Sequence, residues 1–285
     1  MVELALGTAQ FGMNYGIAGR GEKVPSHEVK QIFAKAWALG IRTLDTAQAY
    51  GTIEADLLEY MEDHPFSIIS KIPGLSVPLN QSNAVKEYIN ETIDKTISRL
   101  GKQLKTILFH QTTDLLSEFG HDVWQAAQKA VDDTDIQLGV SCYSFDELRL
   151  LCERYPLSAV QIPGNAFDQC FINEDGFDNV TIDVRSVFLQ GLLLLSTHEV
   201  GVRLPKAVPA ILAWQAFCET HGLSALQAAL SIVKASPRLR YCIVGVDCVS
   251  QLESIVEAWS GCTALHAPTL AMRDPSIIDP RCWPK

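Results

Sequence analysis

Eight short apolar runs, each followed by a longer connecting segment, are the feature that most limits what this chain can fold into. They are Val2–Gly7, Ile41–Asp45, Phe66–Lys71, Leu104–His110, Ile136–Ser141, Ala159–Ile162, a segment within Val180–Phe188, and Tyr241–Val246. Each has the length of a strand. Helical patterns fill most of the gaps. One opens with Ser26 as its cap and runs to about Leu39, where Gly40 stops it. Others cover Ile53–Glu62, Ser82–Leu100 with Gly101 at its end, Leu116–Asp132, Phe145–Arg154 and Ser250–Trp259. Lys206–Lys234 predicts two helices, broken at Gly222 and restarted with Ser224 as the new cap. Pro163–Asn179 has no clear helical pattern, so the sixth crossover is expected to be irregular.

Strands that alternate with helices imply a parallel sheet. Eight of them predict an α/β fold of the (β/α)8 TIM-barrel type rather than a doubly wound open sheet. The open sheet also lacks its G-x-G-x-x-G turn, because Gly7-Thr8-Ala9-Gln10-Phe11-Gly12 has the wrong spacing. The length of 285 residues suits one barrel, and 47% hydrophobic residues suffice for a large core. No linker or repeat divides the chain. Residues 1–285 are therefore expected to form a single barrel, with a Pro-bearing tail at about 262–285.

The net charge of −10, without a basic stripe, argues against nucleic acid as a partner. No apolar stretch reaches membrane-spanning length. The eight cysteines include no C-x-x-C pair, and the seven histidines no H-x-H or H-E-x-x-H, so no metal site is expected. With no signal peptide before the first strand, a cytoplasmic location is the expectation.

The chemistry-bearing residues lie at strand ends. Asp45, Lys71 and His110 each stand at or just past the end of an apolar run, and Tyr50 follows Asp45 by five residues. A βα-barrel keeps its chemistry at that end. A Tyr phenol, with an ordinary pKa of about 10, is a poor acid at neutral pH. A lysine ammonium beside it is expected to lower that value, and Asp45 to supply the lysine's counter-charge. His110 could orient a substrate oxygen. Together they form a proton donor and an oxyanion site suited to reduction of a carbonyl by a cofactor-borne hydride. Taken singly, each has a plainer reading: a helix cap, a turn aromatic, a solvated lysine, a structural histidine.

The chain resembles the aldo-keto reductases. The likeness rests on Leu6-Gly7-Thr8 with Gly12, Leu44-Asp45-Thr46-Ala47 with Tyr50-Gly51, Ser70-Lys71 and Leu108-Phe109-His110. It continues in Gly139-Val140-Ser141, Gln161, Gln190-Gly191-Leu192-Leu193 and Ile243-Val244-Gly245. Val184–Leu193 is similar to a compact bacterial subgroup often found with cell-surface sugar biosynthesis. The resemblance implies an NAD(P)H-dependent barrel enzyme that reduces an aldehyde or ketone, in this subgroup a sugar-related one. It implies Tyr50 as general acid, Lys71 and Asp45 as the groups that tune it, and His110 as the residue that positions the carbonyl. Thr8 and Asp45 would lie near the cofactor. Ser141 and Gln161 would hold the nicotinamide carboxamide, Ser186, Phe188 and Gln190 would line the pyrophosphate path, and Gly245 would adjoin the nucleotide.

The sequence departs from the family on the cofactor side. Cys142 replaces the usual Asn, and Arg185 stands where an aromatic usually stacks on the nicotinamide; a guanidinium plane can stack as well. Asp247 aligns with the usual base for the adenosine 2′-phosphate, and Ser254 and Ile255 with a Glu-Asn pair that meets adenine. A carboxylate repels a phosphate and suits a free ribose hydroxyl, which favours NAD over NADP. The alternative is that Asp247 faces solvent and Arg238 or Arg240 serves the phosphate. Phe11, Tyr15, Gln48, Gln111 and Asn165 adjoin the matched motifs and are the candidate substrate residues. The implied partner is a small-molecule carbonyl compound, and the implied state a monomer or weak homo-oligomer. A noncatalytic nucleotide-binding barrel that acts through a protein partner is the competing function. A metal-dependent hydrolase or lyase lacks its histidines.

Overall fold

Strand pairing runs in chain order. In the computed structural model, which describes residues 2–76, 82–170, 177 and 179–284, eight parallel strands close into a barrel with β8 back against β1. The strands are β1 (Glu3–Gly7), β2 (Thr43–Asp45), β3 (Ser67–Ile72), β4 (Leu104–Phe109), β5 (Gln137–Ser141), β6 (Ala159–Pro163), β7 (Thr181–Arg185) and β8 (Leu239–Gly245). The major helices around them are α1 (Ser26–Ala38), α2 (Ile53–Met61), α3 (Ser82–Leu100), α4 (Gly120–Val131), α5 (Phe145–Arg154), α6 (Val208–His221), α7 (Ala225–Lys234) and α8 (Val249–Gly261). The protein is thus a (β/α)8 TIM barrel.

Each helix lays an apolar stripe on the sheet. In α1, Val29, Ile32, Phe33 and Ala36 are buried, the i, i+3, i+4, i+7 spacing of one helix face. Burial of a side chain the size of Ile or Phe contributes about 1.5–3 kcal/mol. Gly222 ends α6 with φ +63°, a conformation a Cβ disfavours. Ser224 then opens α7 with a reciprocal capping box to Gln227.

The alternation of side chains decides what enters the barrel. Leu44, Ile68, Ile107, Val140, Val160, Ile162, Ile182 and Val184 belong to the large core between sheet and helices. Their neighbours in sequence therefore point inward. Ile69, Leu108 and Ala159, with Tyr241, form a separate small cluster, the apolar interior of the barrel. One step further along the same inward rows stand Lys71, His110 and Gln161. By the same parity Asp45, Ser141 and Arg185 end the inward rows of β2, β5 and β7. The convergence of these polar groups at one end follows from strand period and register alone.

Several boundaries differ from expectation. Ser26 is the first residue of α1, not its cap; Pro25 occupies that position, and the Ser26 hydroxyl meets Tyr60 Oη at 2.9 Å. β7 stops at Arg185 because Ser186 turns to φ +59°, so Phe188 lies in a loop. The segment before α4 is a separate turn, Thr113–Leu116. A helix at Thr197–Arg203 had no apolar period to announce it, since it buries only Val200. The sixth crossover lies partly outside the described residues. The tail folds into short turns and is pinned to the loop after β6. Met272 N–H donates to Phe167 O at 2.9 Å, and the Gln169 amide to Ala267 O at 2.7 Å.

Candidate active site

Asp45 and Lys71 form an ion pair inside the barrel mouth, with only 4% and 1% of each residue exposed. Lys71 Nζ donates to both Asp45 carboxylate oxygens, at 2.7 and 2.8 Å, and to Thr46 O at 3.0 Å. Three acceptors around one amine are the arrangement an ammonium needs, although burial pushes the Lys71 pKa down against the pull of Asp45. A fourth contact fixes the carboxylate: Gln161 Nε2 donates to Asp45 Oδ1 at 2.7 Å. Thr8 ties β1 to the same point through its backbone N–H and its hydroxyl, both donating to Asp45 O.

Tyr50 and His110 cover this pair. Lys71 Nζ lies 5.2 Å from the Tyr50 ring centroid, and the Tyr50 and His110 rings meet edge to face at 5.9 Å. Gly12 sets the height of the tyrosine, because a Cβ there would collide with the Tyr50 carbonyl oxygen. The spacing of Gly12 and Tyr50-Gly51 thus has a steric cause.

The phenol is not acidified as expected. Burial, and next the Asp45 carboxylate, push the Tyr50 pKa up, while Arg185 opposes them. Asp45, held against Lys71, offsets the pull of the ammonium on the phenol. Tyr50 therefore keeps its proton throughout the neutral range. His110 moves the other way: burial, then the charges of Lys71 and Arg185, lower it to about 4. Its ordinary value is about 6.5. The folded state thus favours neutral imidazole, and the stability this gives is present above about pH 6.5 and is lost as pH falls toward 4. An NMR titration of the His110 ring is expected to show a midpoint near 4 in the folded protein. A midpoint near 6.5 would mean an open, hydrated ring.

A cleft of about 370 Å3 leads away from this site. Tyr15, Tyr50 and Arg185 line one end, and Asp247, Ser250 and Ser254 line the α8 end. Of the candidate cofactor residues, Thr8, Asp45, Arg185, Ser186, Phe188, Gln190, Gly245 and Asp247 line it. Ser141 and Gln161 are buried partners across the β5–β6 register beside it. Among the five candidate substrate residues Tyr15 lines the cleft, and burial next to Tyr50 raises its pKa to about 12. The others are engaged elsewhere. Phe11 packs edge-on against Phe33 in the core. The Gln48 amide donates to Thr92 O and Thr96 Oγ1 on α3. Gln111 covers Gly74, and Asn165 bonds within the loops after β6 and β7.

The cleft's features suit a dinucleotide. Gln161 Oε1, beside the cleft, is a buried acceptor with no partner among the described residues, an unused capacity that an amide donor would satisfy. Three of the four described non-glycine residues with left-handed φ, namely Ser186, Leu189 and Gln190, fall in one loop, and Ser186 and Gln190 of these line the cleft. Such conformations cost about 1–3 kcal/mol each and gather at ligand sites. The N-terminal turn of α8 borders the far end, where its dipole favours phosphate. Arg240 cannot serve there: it is paired with Asp183 at 2.7 and 2.9 Å, and it lies at the start of β8, with Arg238 just before it.

Sequence reasoning missed three contributors. The loop between β1 and α1 crosses the cleft, where Ala18 N–H donates to Gln190 O at 3.4 Å and Arg203 bonds Ile17 O. Its Arg20 donates to Asp247 O at 3.3 Å and pairs with Glu28 at 2.8 Å. Tyr143 carries two guanidinium groups over its ring, Arg185 at 4.2 Å and Arg281 at 3.4 Å. Gly16, Gly19 and Gly21 were the available signal for a shaped loop; nothing in the sequence pairs Tyr143 with the tail.

Among the described residues, no group of His, Cys, Asp or Glu could hold a metal, and no helix is long and apolar enough to cross a membrane. A comparison with curated proteins gave no match. Solved structures share the fold. Aldo-keto reductase AKR11C1 from Bacillus halodurans, solved in its holo form, superposes with a TM-score of 0.73 at 18% identity, over 95% of this chain and 92% of its own. The glycerol dehydrogenase AKR11B4 from Gluconobacter oxydans gives 0.68 at 18% identity, over 93% and 88%. The model of the aldo/keto reductase family matches residues 3–264, nearly the whole barrel. The chain therefore belongs to the aldo/keto reductase family.

Proposed function

We propose that the protein reduces the carbonyl group of a polar, small-molecule aldehyde or ketone with NAD(P)H, and that Tyr50 is the proton donor. Family and fold support oxidoreductase chemistry of this kind. The observation that carries the residue assignment is the buried Lys71–Asp45 pair, 2.7 Å apart, directly beneath the Tyr50 ring.

The hydride is supplied by a reduced nicotinamide dinucleotide when one is bound in the cleft. The carbonyl carbon would take that hydride, while the carbonyl oxygen takes the proton of Tyr50 Oη, which solvent then restores. Because burial keeps the phenol protonated, the donor is loaded before substrate arrives. Proton transfer becomes favourable only as negative charge grows on the oxygen, a gain confined to the transition state. The neutral His110 ring has one N–H to donate to the same oxygen. Lys71 then stabilises the phenolate left behind, and Asp45, oriented by Gln161, holds Lys71. Gln161 Oε1 and Ser141 would hold the carboxamide, and the 186–190 segment with the α8 N-terminus would hold the phosphates. Alcohol formation from an aldehyde panel with NADH and NADPH tests this reading, and no turnover of any carbonyl would refute it.

For the cofactor, NAD is the proposed preference. Asp247 borders the α8 end of the cleft, and burial raises its pKa there. A partly desolvated carboxylate disfavours an added phosphate dianion. Arg20, which reaches the Asp247 backbone, is the group that could offset this. Fluorescence titration is expected to give a Kd for NADH below that for NADPH, and Asp247→Asn is expected to narrow the gap by about tenfold, a change of about 1.4 kcal/mol. Tighter NADPH binding by the wild type would overturn the assignment and point to Arg20.

A further inference from the structure

Arg185 is a positive charge at the inner mouth that no carboxylate among the described residues pairs with. Lys71 is held by Asp45 and Arg281 by both oxygens of Asp279, while Arg240, at the start of β8, is held by Asp183. Among the described residues, none places a carboxylate within ion-pair distance of Arg185. Its contacts are Ser186 Oγ at 3.3 Å and the Tyr143 ring at 4.2 Å. Strand parity turns it inward at the end of β7, and it lines the cleft with Tyr15 and Tyr50. The side chain is half-buried, so its charge is partly desolvated without being compensated. An uncompensated cation in such a place is a cost to folding that a bound anion would offset.

The position of the guanidinium is fixed rather than loose. The Tyr143 ring lies 4.2 Å from it, and Arg281, clamped to Asp279 in the tail, braces the same ring at 3.4 Å. One guanidinium N–H donates to Ser186 Oγ, and the others have no hydrogen-bond partner among the described residues. The guanidinium fork matches the two oxygens of a carboxylate or phosphate. Asp168 and Asp279 feel Arg185 only at longer range. The wall around it is phenolic, from Tyr15, Tyr50 and Tyr143.

We propose that Arg185 binds an anionic group on the substrate, so that this protein selects aldehydes or ketones carrying a carboxylate or phosphate. The inference rests on the carbonyl-reductase reading above and adds the substrate class. The anion takes no part in the chemistry: hydride and proton go to the carbonyl, and the charged group is unchanged in the product. Its role is to anchor the substrate beside Tyr50 and so to raise the effective concentration of the carbonyl there.

The test compares matched pairs: succinic semialdehyde with butanal for a carboxylate, glyceraldehyde 3-phosphate with glyceraldehyde for a phosphate. Wild type is expected to favour the anionic member of at least one pair in kcat/KM by about 10–100-fold, and the pair that shows it identifies the anion. Arg185→Gln should lower that ratio at least about tenfold, mainly through KM, and Arg185→Lys should keep part of it. NADH and NADPH affinities of both variants are measured in parallel by fluorescence. An equal kcat/KM within both pairs for wild type, or a ratio that survives Arg185→Gln, would overturn the inference while leaving carbonyl reduction standing. Loss of cofactor affinity with an unchanged ratio would also overturn it and make Arg185 a cofactor residue. Turnover of no carbonyl at all would defeat the underlying reading and this inference with it.

Discussion

Tyr50→Phe is expected to reduce kcat by a factor of about 10²–10⁴, the usual worth of a positioned general acid. The substitution removes one oxygen and leaves the ring, so the 5.9 Å edge contact with His110 and the 5.2 Å approach to Lys71 survive. Stability should change little. Cofactor affinity, read by fluorescence titration, should stay within about threefold, because the loss is confined to the transition state. The defect should not be relieved by higher substrate concentration. A Tyr50→Phe protein with undiminished kcat would remove Tyr50 from the chemistry. Water or His110 would then have to deliver the proton, and the low His110 pKa makes that ring a poor reservoir of protons at neutral pH.

The second large effect is on Lys71. Lys71→Met preserves length and volume but leaves Asp45 as a buried carboxylate whose remaining side-chain donor is Gln161. Breaking a buried ion pair from one side costs about 3–5 kcal/mol. The thermal midpoint should fall, and activity should fall as well, since nothing then stabilises the Tyr50 phenolate. The double substitution Asp45→Asn with Lys71→Met separates the two effects. It removes both charges and lets the Asn carbonyl accept from Gln161, so stability should largely return while activity does not. Recovery of activity in the double variant would mean that the pair is only scaffolding. A Lys71→Met protein as stable as wild type would mean that Asp45 is better hydrated than its 4% exposure implies.

The barrel was legible because period and register are carried by the sequence. The ranges Ser82–Leu100 and Phe145–Arg154, the stop at Gly222 and the cap at Ser224 are all found where pattern and turn chemistry place them. Strand alternation also brings Asp45, Lys71 and His110 to one mouth. What the sequence hides is the direction of loop side chains. Gln48 and Asn165 adjoin the right strands, yet their amides turn to α3 and to a neighbouring loop. Phe11 is close to Thr8 in sequence but sits in a one-turn helix, Ala9–Gly12, that faces α1. Tyr143 and Arg281 are 138 positions apart and meet only because the tail returns to the barrel mouth, which no local pattern encodes. The expected lowering of the Tyr50 pKa failed for a different reason. It counted the lysine charge but neither the burial of the phenol, which is the larger effect, nor the opposing charge of Asp45.

The most direct test of carbonyl reduction at this site follows a labelled hydrogen. Purified protein is given a reducible aldehyde and NADH or NADPH carrying deuterium at the transferable C4 position, and the alcohol is analysed by mass spectrometry and NMR. One deuterium should appear on the former carbonyl carbon, with one cofactor oxidised per alcohol formed, and Tyr50→Phe should suppress both together. Cofactor binding without alcohol formation from any carbonyl, or alcohol whose new carbon-bound hydrogen comes from solvent, would contradict it.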